Sequence, residues 1–426
     1  MLTATAAHRS TAETKDSAKF NIDVARWLLL VSGIMYERDT NKALEATKAY
    51  YESQDDHSLS FAGLRTQEDI KNFVRSKQGD KDETFSMVSS NGNYHFRPES
   101  RIEQQTRIWD VHFRPISHMK RLYSPFAGIW WNSGQDPFII VAFKGTTPVD
   151  YSEFLVDASF QKTDASAFLW GNCHQGDAYD SSLHGGGNEE SPYGSLIQAI
   201  RIKAKELHAA IKEKYPYIKI PVYVTGHSLG AAMASLFYAR LLKAPHDLGP
   251  LVDIRQAYVY GCPAVGDVEF AQGFASEINS SYSNHFGLWR VIDDSDIVTR
   301  LPLNFSNPLS GRPSRNPFVK HGSLVDYCVI GNGVRVFGDG REPQVCWKMP
   351  RSANVFEMSD PTTAPLRNPF KGVINWAKKF IHGGNAMRVE LACPKPISRD
   401  HFPTEYFRNL SKSENYFKFH DELFAK

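Results

Sequence analysis

The chain has 426 residues, 42% of them apolar, with 49 basic against 47 acidic residues and a net charge of +2. That is ample for a buried core and too long for a small disulfide-held scaffold, and without polybasic or polyacidic blocks nothing points to nucleic acid as a partner. The five cysteines (Cys173, Cys262, Cys328, Cys346 and Cys393) form no C-x-x-C pair, which argues against a structural zinc site. Their odd count and low density favour free thiols in a reducing, cytoplasmic compartment.

Residues 1–20 are polar, with Arg9, Glu13, Lys15, Asp16 and Lys19, and read as disordered or loosely attached. The first apolar run, Trp27 to Val31, is too short and too late for a secretory signal, and no stretch reaches the ~20 apolar residues of a membrane span. Helical periodicity covers about 21–37, with Asp23 near its start, then about 41–53, and more weakly 66–76. Residues 1–100 are therefore expected to form an N-terminal extension, partly disordered and then helical.

The texture changes near residue 100. Short, nearly continuous apolar runs at 138–143, 220–225, 256–260 and 287–292 read as parallel strands buried on both faces. Helical stripes at 193–214 and 229–243 lie between them. This alternation predicts an α/β fold over residues 101–426, with a mostly parallel central sheet flanked by helices. Residues 303–395 are rich in Pro, Asn, Gly and Ser, and predict a loop-rich insertion with a hairpin at about 323–337.

The segment Gly226–His227–Ser228–Leu229–Gly230 follows an apolar strand and precedes an Ala-rich helix that begins with Ala231 and Ala232. That context is what a nucleophile elbow requires: a turn so tight that its flanking positions must lack side chains, lifting the serine above the strand ends. A serine hydroxyl needs a base, oriented by a carboxylate, and on this fold the chain order is serine, acid, histidine. Asp293, Asp294 and Asp296 follow the strand at 287–292, and the later histidines are His321, His382, His401 and His420.

Four separated motifs carry a family resemblance: Phe143–Lys144–Gly145–Thr146–Thr147, the elbow itself, Tyr260–Gly261–Cys262–Pro263–Ala264–Val265–Gly266–Asp267, and Arg290–Val291 with Asp296 to Pro302. In order and spacing they resemble the class 3 lipases, the family of fungal triacylglycerol lipases with relatives in plants. The resemblance implies the α/β-hydrolase fold, with Ser228 as nucleophile, Asp296 as the acid and His401 as the base. His401 lies in Asp400–His401 with Tyr406 following, a D-H-x-x-x-x-Y form. His321 stands in a V-K-H-G stretch that resembles the family's H-x-G turn, and is the weaker candidate. His174 matches another H-x-G stretch and is read as structural.

The resemblance also implies an oxyanion hole from the Leu229 and Thr146 backbone N–H groups, and a lid helix over Pro148 to Phe160 with Tyr151, Phe154, Leu155 and Ala158 on one apolar face. It implies no metal and no cofactor. The implied substrate is a lipid or other hydrophobic ester: acylglycerols first, phospholipids or short-chain and aryl esters second, with transient contact at a lipid surface. A lipase-fold protein that binds a partner without catalysis is the alternative from another class. Three features depart from the family pattern: Lys144 where arginine is usual, Thr299 where proline is common, and the long 303–395 segment.

Overall fold

A computed structural model describes residues 19–38, 100–117, 126–145, 162–174, 192–280, 286–296, 298–300, 327–347 and 400–419. The expected helices at 41–53 and 66–76, the lid segment and most of the 303–395 insertion lie outside the described residues.

Eight strands form one sheet in the order β1-β2-β3-β6-β7-β8-β9-β10. They are β1 (His112–Ser117), β2 (Ala127–Asn132), β3 (Phe138–Phe143), β6 (Ile220–His227), β7 (Val252–Tyr260), β8 (Leu288–Asp293), β9 (Asn332–Val336) and β10 (Gln344–Trp347). The central run β3-β6-β7-β8-β9 is parallel throughout, while β1, β2 and β10 add antiparallel edges. A separate two-stranded ribbon pairs β4 (Lys162–Asp164) with β5 (Asn172–His174).

Every residue of β3, β6 and β8 is buried, because helices cover both faces. The alternation of side chains splits β3 between two cores. Ile139, Val141 and Phe143 face one core, with α3 (Pro192–Ile211), α4 (Leu229–Lys243) and α5 (Val268–Ser280). Phe138, Ile140 and Ala142 face the other, with α1 (Ile22–Ile34), α2 (Ser100–Trp109), α6 (Pro403–Lys412) and α7 (Glu414–Phe419).

The helix α1 is part of this second core. Asn21 caps it, its side-chain oxygen accepting from the N–H groups of Asp23 and Val24 at 3.0 Å each. The Asn21 N–H in turn donates to the Tyr258 hydroxyl on β7 at 3.0 Å. On its inner face Trp27, Leu28 and Val31 are almost wholly buried against the sheet. A 3₁₀ turn at Met35–Glu37 ends the helix and brings Tyr36 beneath the elbow.

Two elements differ from expectation. The hairpin is displaced from 323–337: β9 starts at Asn332, runs parallel to β8, and pairs antiparallel with β10. Gly331, with φ +81°, swings the chain into β9, while Cys328 before it makes an isolated bridge to Gly266. The edge strand β1 and its inner neighbour β2 lie outside the runs expected to be strands. Pro115 and Arg114 interrupt β1, as an edge position tolerates, and Gly128 in β2 leaves room for the Phe113 ring. Among the described residues no helix is long and apolar enough to cross a membrane.

Candidate active site

The turn from β6 into α4 is tight. Ser228 adopts φ +59°, ψ −128°, a region that side-chain-bearing residues rarely enter. The glycines two before and two after it explain how. A Cβ on Gly226 would run into the Gly230 carbonyl, and a Cβ on Gly230 would run into the Phe143 carbonyl. The Ser228 N–H is held by the Tyr260 carbonyl at 2.9 Å. Leu229 is the first residue of α4, so its N–H belongs to the positive end of the helix dipole. Among the described residues the Ser228 hydroxyl has no hydrogen-bond partner.

Asp296 follows β8 and is fully buried. Its carboxylate is held from three directions. One oxygen accepts the Val298 N–H at 2.9 Å. The other accepts from His401 Nδ1 at 2.8 Å and from the Tyr406 hydroxyl at 2.5 Å. Because a carboxylate only accepts, Nδ1 of His401 carries a proton. Tyr406 is kept protonated, its hydroxyl pushed far above its ordinary range by burial and then by the charges of Asp296 and Asp293. Gly261, with φ +59° at the end of β7, gives the pair its space: a Cβ there would stand 2.8 Å from His401 Cε1 and 3.0 Å from Asp296 Oδ2.

His401 stands just before α6, and its backbone is fixed by His227. Nε2 of His227 lies 2.6 Å from the His401 carbonyl, and Nδ1 lies 2.8 Å from the Tyr36 hydroxyl. A carbonyl can only accept, so His227 is the Nε2–H tautomer and Tyr36 donates to Nδ1. Burial, then the neighbouring His401, pull the His227 imidazole well below the usual histidine range, which keeps it neutral. The two imidazole rings lie 4.6 Å apart.

A second carboxyl group sits beside the first. Asp293 accepts from Asn409 Nδ2 at 2.6 Å and from the Ser295 N–H at 3.3 Å. Burial raises its carboxyl to about 7 against these hydrogen bonds, with the Asp296 charge adding to the rise.

Ser228, His227 and His401 all line one cavity of about 700 Å³, together with side chains from α1, α2 and α6. The structure thus brings Ser228, Leu229, Asp296 and His401 to one place. Thr146, His321, His382 and His420 lie outside the described residues, as does the side chain of His174. Lys144 is buried, donates to the Gly145 carbonyl at 3.2 Å and lies over the Tyr36 ring. Thr299 ties down the Asp296 backbone through a 2.8 Å bond from its hydroxyl to the Asp296 carbonyl. Among the described residues no three His, Cys, Asp or Glu side chains gather as a metal site.

Two contributors had no functional reading in the sequence, Tyr36 and His227, while Asp293 stood there as one of three candidate acids. His227 occupies the free position of the G-x-S-x-G pattern, and Tyr36 reaches it across 191 residues with no local signal.

The sheet, its crossover helices and the strained strand–turn–helix define the class, an α/β-hydrolase fold. Within that class the class 3 lipase resemblance holds over residues 140–306, which match the family model described as Lipase (class 3). Phospholipase A1-II 1 of Oryza sativa subsp. indica is 26% identical over 177 residues, 40% of this chain and 41% of that protein. Lipase ZK262.3 of Caenorhabditis elegans is 30% identical over 167 residues, 37% of this chain and 43% of that protein. The chain therefore spans about two fifths of the length of these curated relatives. Among solved structures, the Rhizomucor miehei lipase propeptide complex aligns with 70% of this chain and 78% of its own, at 18% identity and a TM-score of 0.38.

Proposed function

We propose that this chain hydrolyses carboxylic esters of acyl lipids through an acyl-enzyme on Ser228. The observation that carries the reading is the buried His401–Asp296 pair, 2.8 Å apart, opening on the same cavity as the serine of the elbow. In the proposed reaction Ser228 Oγ attacks the ester carbonyl carbon while His401 Nε2 takes its proton. The oxyanion that forms is held by the Leu229 N–H and by Thr146, donors of a kind that typically contribute about 3 kcal/mol each to lowering the barrier. Collapse breaks the ester C–O bond, and the leaving alcohol takes the proton from His401. Water, deprotonated by His401, then releases the acid and restores Ser228. Asp296 holds the imidazole in the Nδ1–H form and stabilises its cation.

The relatives support an acyl-lipid ester as the bond attacked, since one is named a phospholipase A1 and another a lipase. Acylglycerols are the first substrate class proposed, met by transient contact with a lipid surface. The test is a p-nitrophenyl ester series from acetyl to palmitoyl, with fluorophosphonate labelling, on wild type and Ser228→Ala. Wild type is expected to label and to cleave long-chain esters, and Ser228→Ala to do neither. Cleavage confined to the shortest esters would identify an esterase with a restricted pocket. A wild type that neither labels nor cleaves would point to a lipase-fold binding protein.

A further inference from the structure

Lys144 has no part in the reaction as written above, yet it is buried beside the nucleophile turn. Burying an ammonium group is costly unless hydrogen bonds and charge partners receive it. Its Nζ donates to the Gly145 carbonyl at 3.2 Å and stands 5.6 Å from the centre of the Tyr36 ring, within reach of a cation–π contact. The Tyr36 ring is itself held in place, since its hydroxyl donates to His227 Nδ1 at 2.8 Å.

The peptide that Lys144 grips has little freedom. A Cβ on Gly145 would run into the Tyr36 hydroxyl and the His227 carbonyl and stand 3.2 Å from Ser228 Cβ, while a Cβ on Gly230 would stand 2.9 Å from the Gly145 nitrogen. Residues 143–145 thus lie backbone to backbone against the turn, a close approach that glycine permits. The other end of the same peptide unit is the Thr146 N–H, proposed above as an oxyanion donor. A trans peptide points its carbonyl and its N–H in opposite directions. A cation at the carbonyl end draws electron density away from the N–H end and strengthens it as a donor, the cooperative effect of linked hydrogen bonds in a low-dielectric interior.

We infer that Lys144 is a positioning residue for ester hydrolysis: its ammonium group fixes and polarises the peptide between Gly145 and Thr146, so that the Thr146 N–H binds the oxyanion more tightly than an unassisted amide does. The inference rests on the ester-hydrolase reading above. It adds a charged support behind the oxyanion hole, supplied by a residue that does not touch the substrate. The gain falls on the charge that develops in the tetrahedral intermediate, because a neutral ester carbonyl profits little from a stronger donor. Lys144 therefore acts on kcat and leaves substrate binding nearly untouched.

The test measures kcat and KM on p-nitrophenyl butyrate, and the affinity of an alkyl trifluoromethyl ketone, for wild type, Lys144→Met, Lys144→Gln and Lys144→Arg. Ser228 Oγ adds to the ketone carbonyl carbon, its proton passes to His401, and the hemiketal oxygen carries the negative charge in the oxyanion hole. Lys144→Met, similar in length but neutral, is expected to lower kcat about tenfold with KM nearly unchanged, less than the roughly hundredfold or more that follows outright loss of an oxyanion donor. Ketone affinity should fall by the same factor. Lys144→Gln keeps a hydrogen-bond donor without the charge, should show the same losses, and gives an answer should Lys144→Met fail to fold. Lys144→Arg keeps the cation and should recover most of both. Equal losses in Lys144→Arg and the neutral variants, or a change in KM with kcat and ketone affinity unaltered, would reduce Lys144 to packing and overturn the inference. So would wild-type values in the neutral variants, with the hydrolase reading left standing. A wild type that neither cleaves the ester nor binds the ketone removes the hydrolase reading, and this inference with it.

Discussion

His227 donates from Nε2 to the carbonyl of His401 across 2.6 Å, so the residue before the elbow serine fixes the backbone of the histidine that faces it. The serine and the imidazole are thus set by one rigid turn and one hydrogen bond, and Tyr36 locks the tautomer from the other side. Being neutral, His227 makes the same bond across the working pH range.

Replacing His227 by alanine is therefore expected to lower kcat on a p-nitrophenyl ester by roughly tenfold to a hundredfold, the scale associated with about 1 Å of misplacement at a reacting centre. KM should change little, since the cavity walls from α1 and α6 stay in place. A fall confined to KM, or the same fall in Tyr36→Phe and His227→Ala with both proteins partly unfolded by circular dichroism, would count against a positioning role.

Tyr406 bears on the same pair from α6. Tyr406→Phe removes one of the three hydrogen bonds to the Asp296 carboxylate and leaves the ring packing intact. Hydrogen bonds to charged groups contribute about 1.5–3 kcal/mol, so urea denaturation should show a loss of that order. The Asp296–His401 bond survives, and kcat is expected to fall far less than in Asp296→Ala.

Asp293 gives the stability a pH dependence of definite sign. Its carboxyl is raised from 3.8 to about 7, first by burial. Between those values the folded protein holds a proton that the unfolded chain has lost, so this group's stabilising contribution is full at the acid end and disappears as pH rises through about 7. Asp293→Asn removes this contribution. The urea midpoint of wild type should therefore drop relative to that of Asp293→Asn as pH rises from about 4 to about 7, and parallel curves would show that Asp293 stays charged.

The parts of the fold that could be read from residues alone are those where burial is two-sided. β3, β6, the second half of β7 and β8 appear as short, nearly continuous apolar runs, and α4 as an Ala-rich stripe, because helices cover both sheet faces. β1 and β2 were not legible, since Pro115 and Gly128 break their patterns for reasons of edge position and ring packing. Helix α1 was legible as a helix but not as a wall of the cavity, because that role depends on α6, nearly four hundred residues later. Among Asp293, Asp294 and Asp296, local pattern made no choice. The resemblance selected Asp296, and in three dimensions that carboxylate meets His401 while Asp293 turns to Asn409.

The strain at Ser228 offers a comparison between two inactive proteins. At an ordinary helix or strand position, glycine is less stable than alanine by about 0.5–1 kcal/mol. At φ +59°, ψ −128° the order should invert, because the backbone strain on a residue bearing a Cβ, about 1–3 kcal/mol, is absent in glycine. Ser228→Gly is thus expected to unfold at higher urea than Ser228→Ala, and higher than wild type if the lost hydroxyl contributes little, since among the described residues it bonds to nothing. Neither variant should cleave ester. If Ser228→Ala proves the more stable of the two, the elbow is relaxed in solution and its sharpness is no cost to the fold; if Ser228→Gly does, the strain is real and is held by the packing of Gly226 and Gly230 on either side.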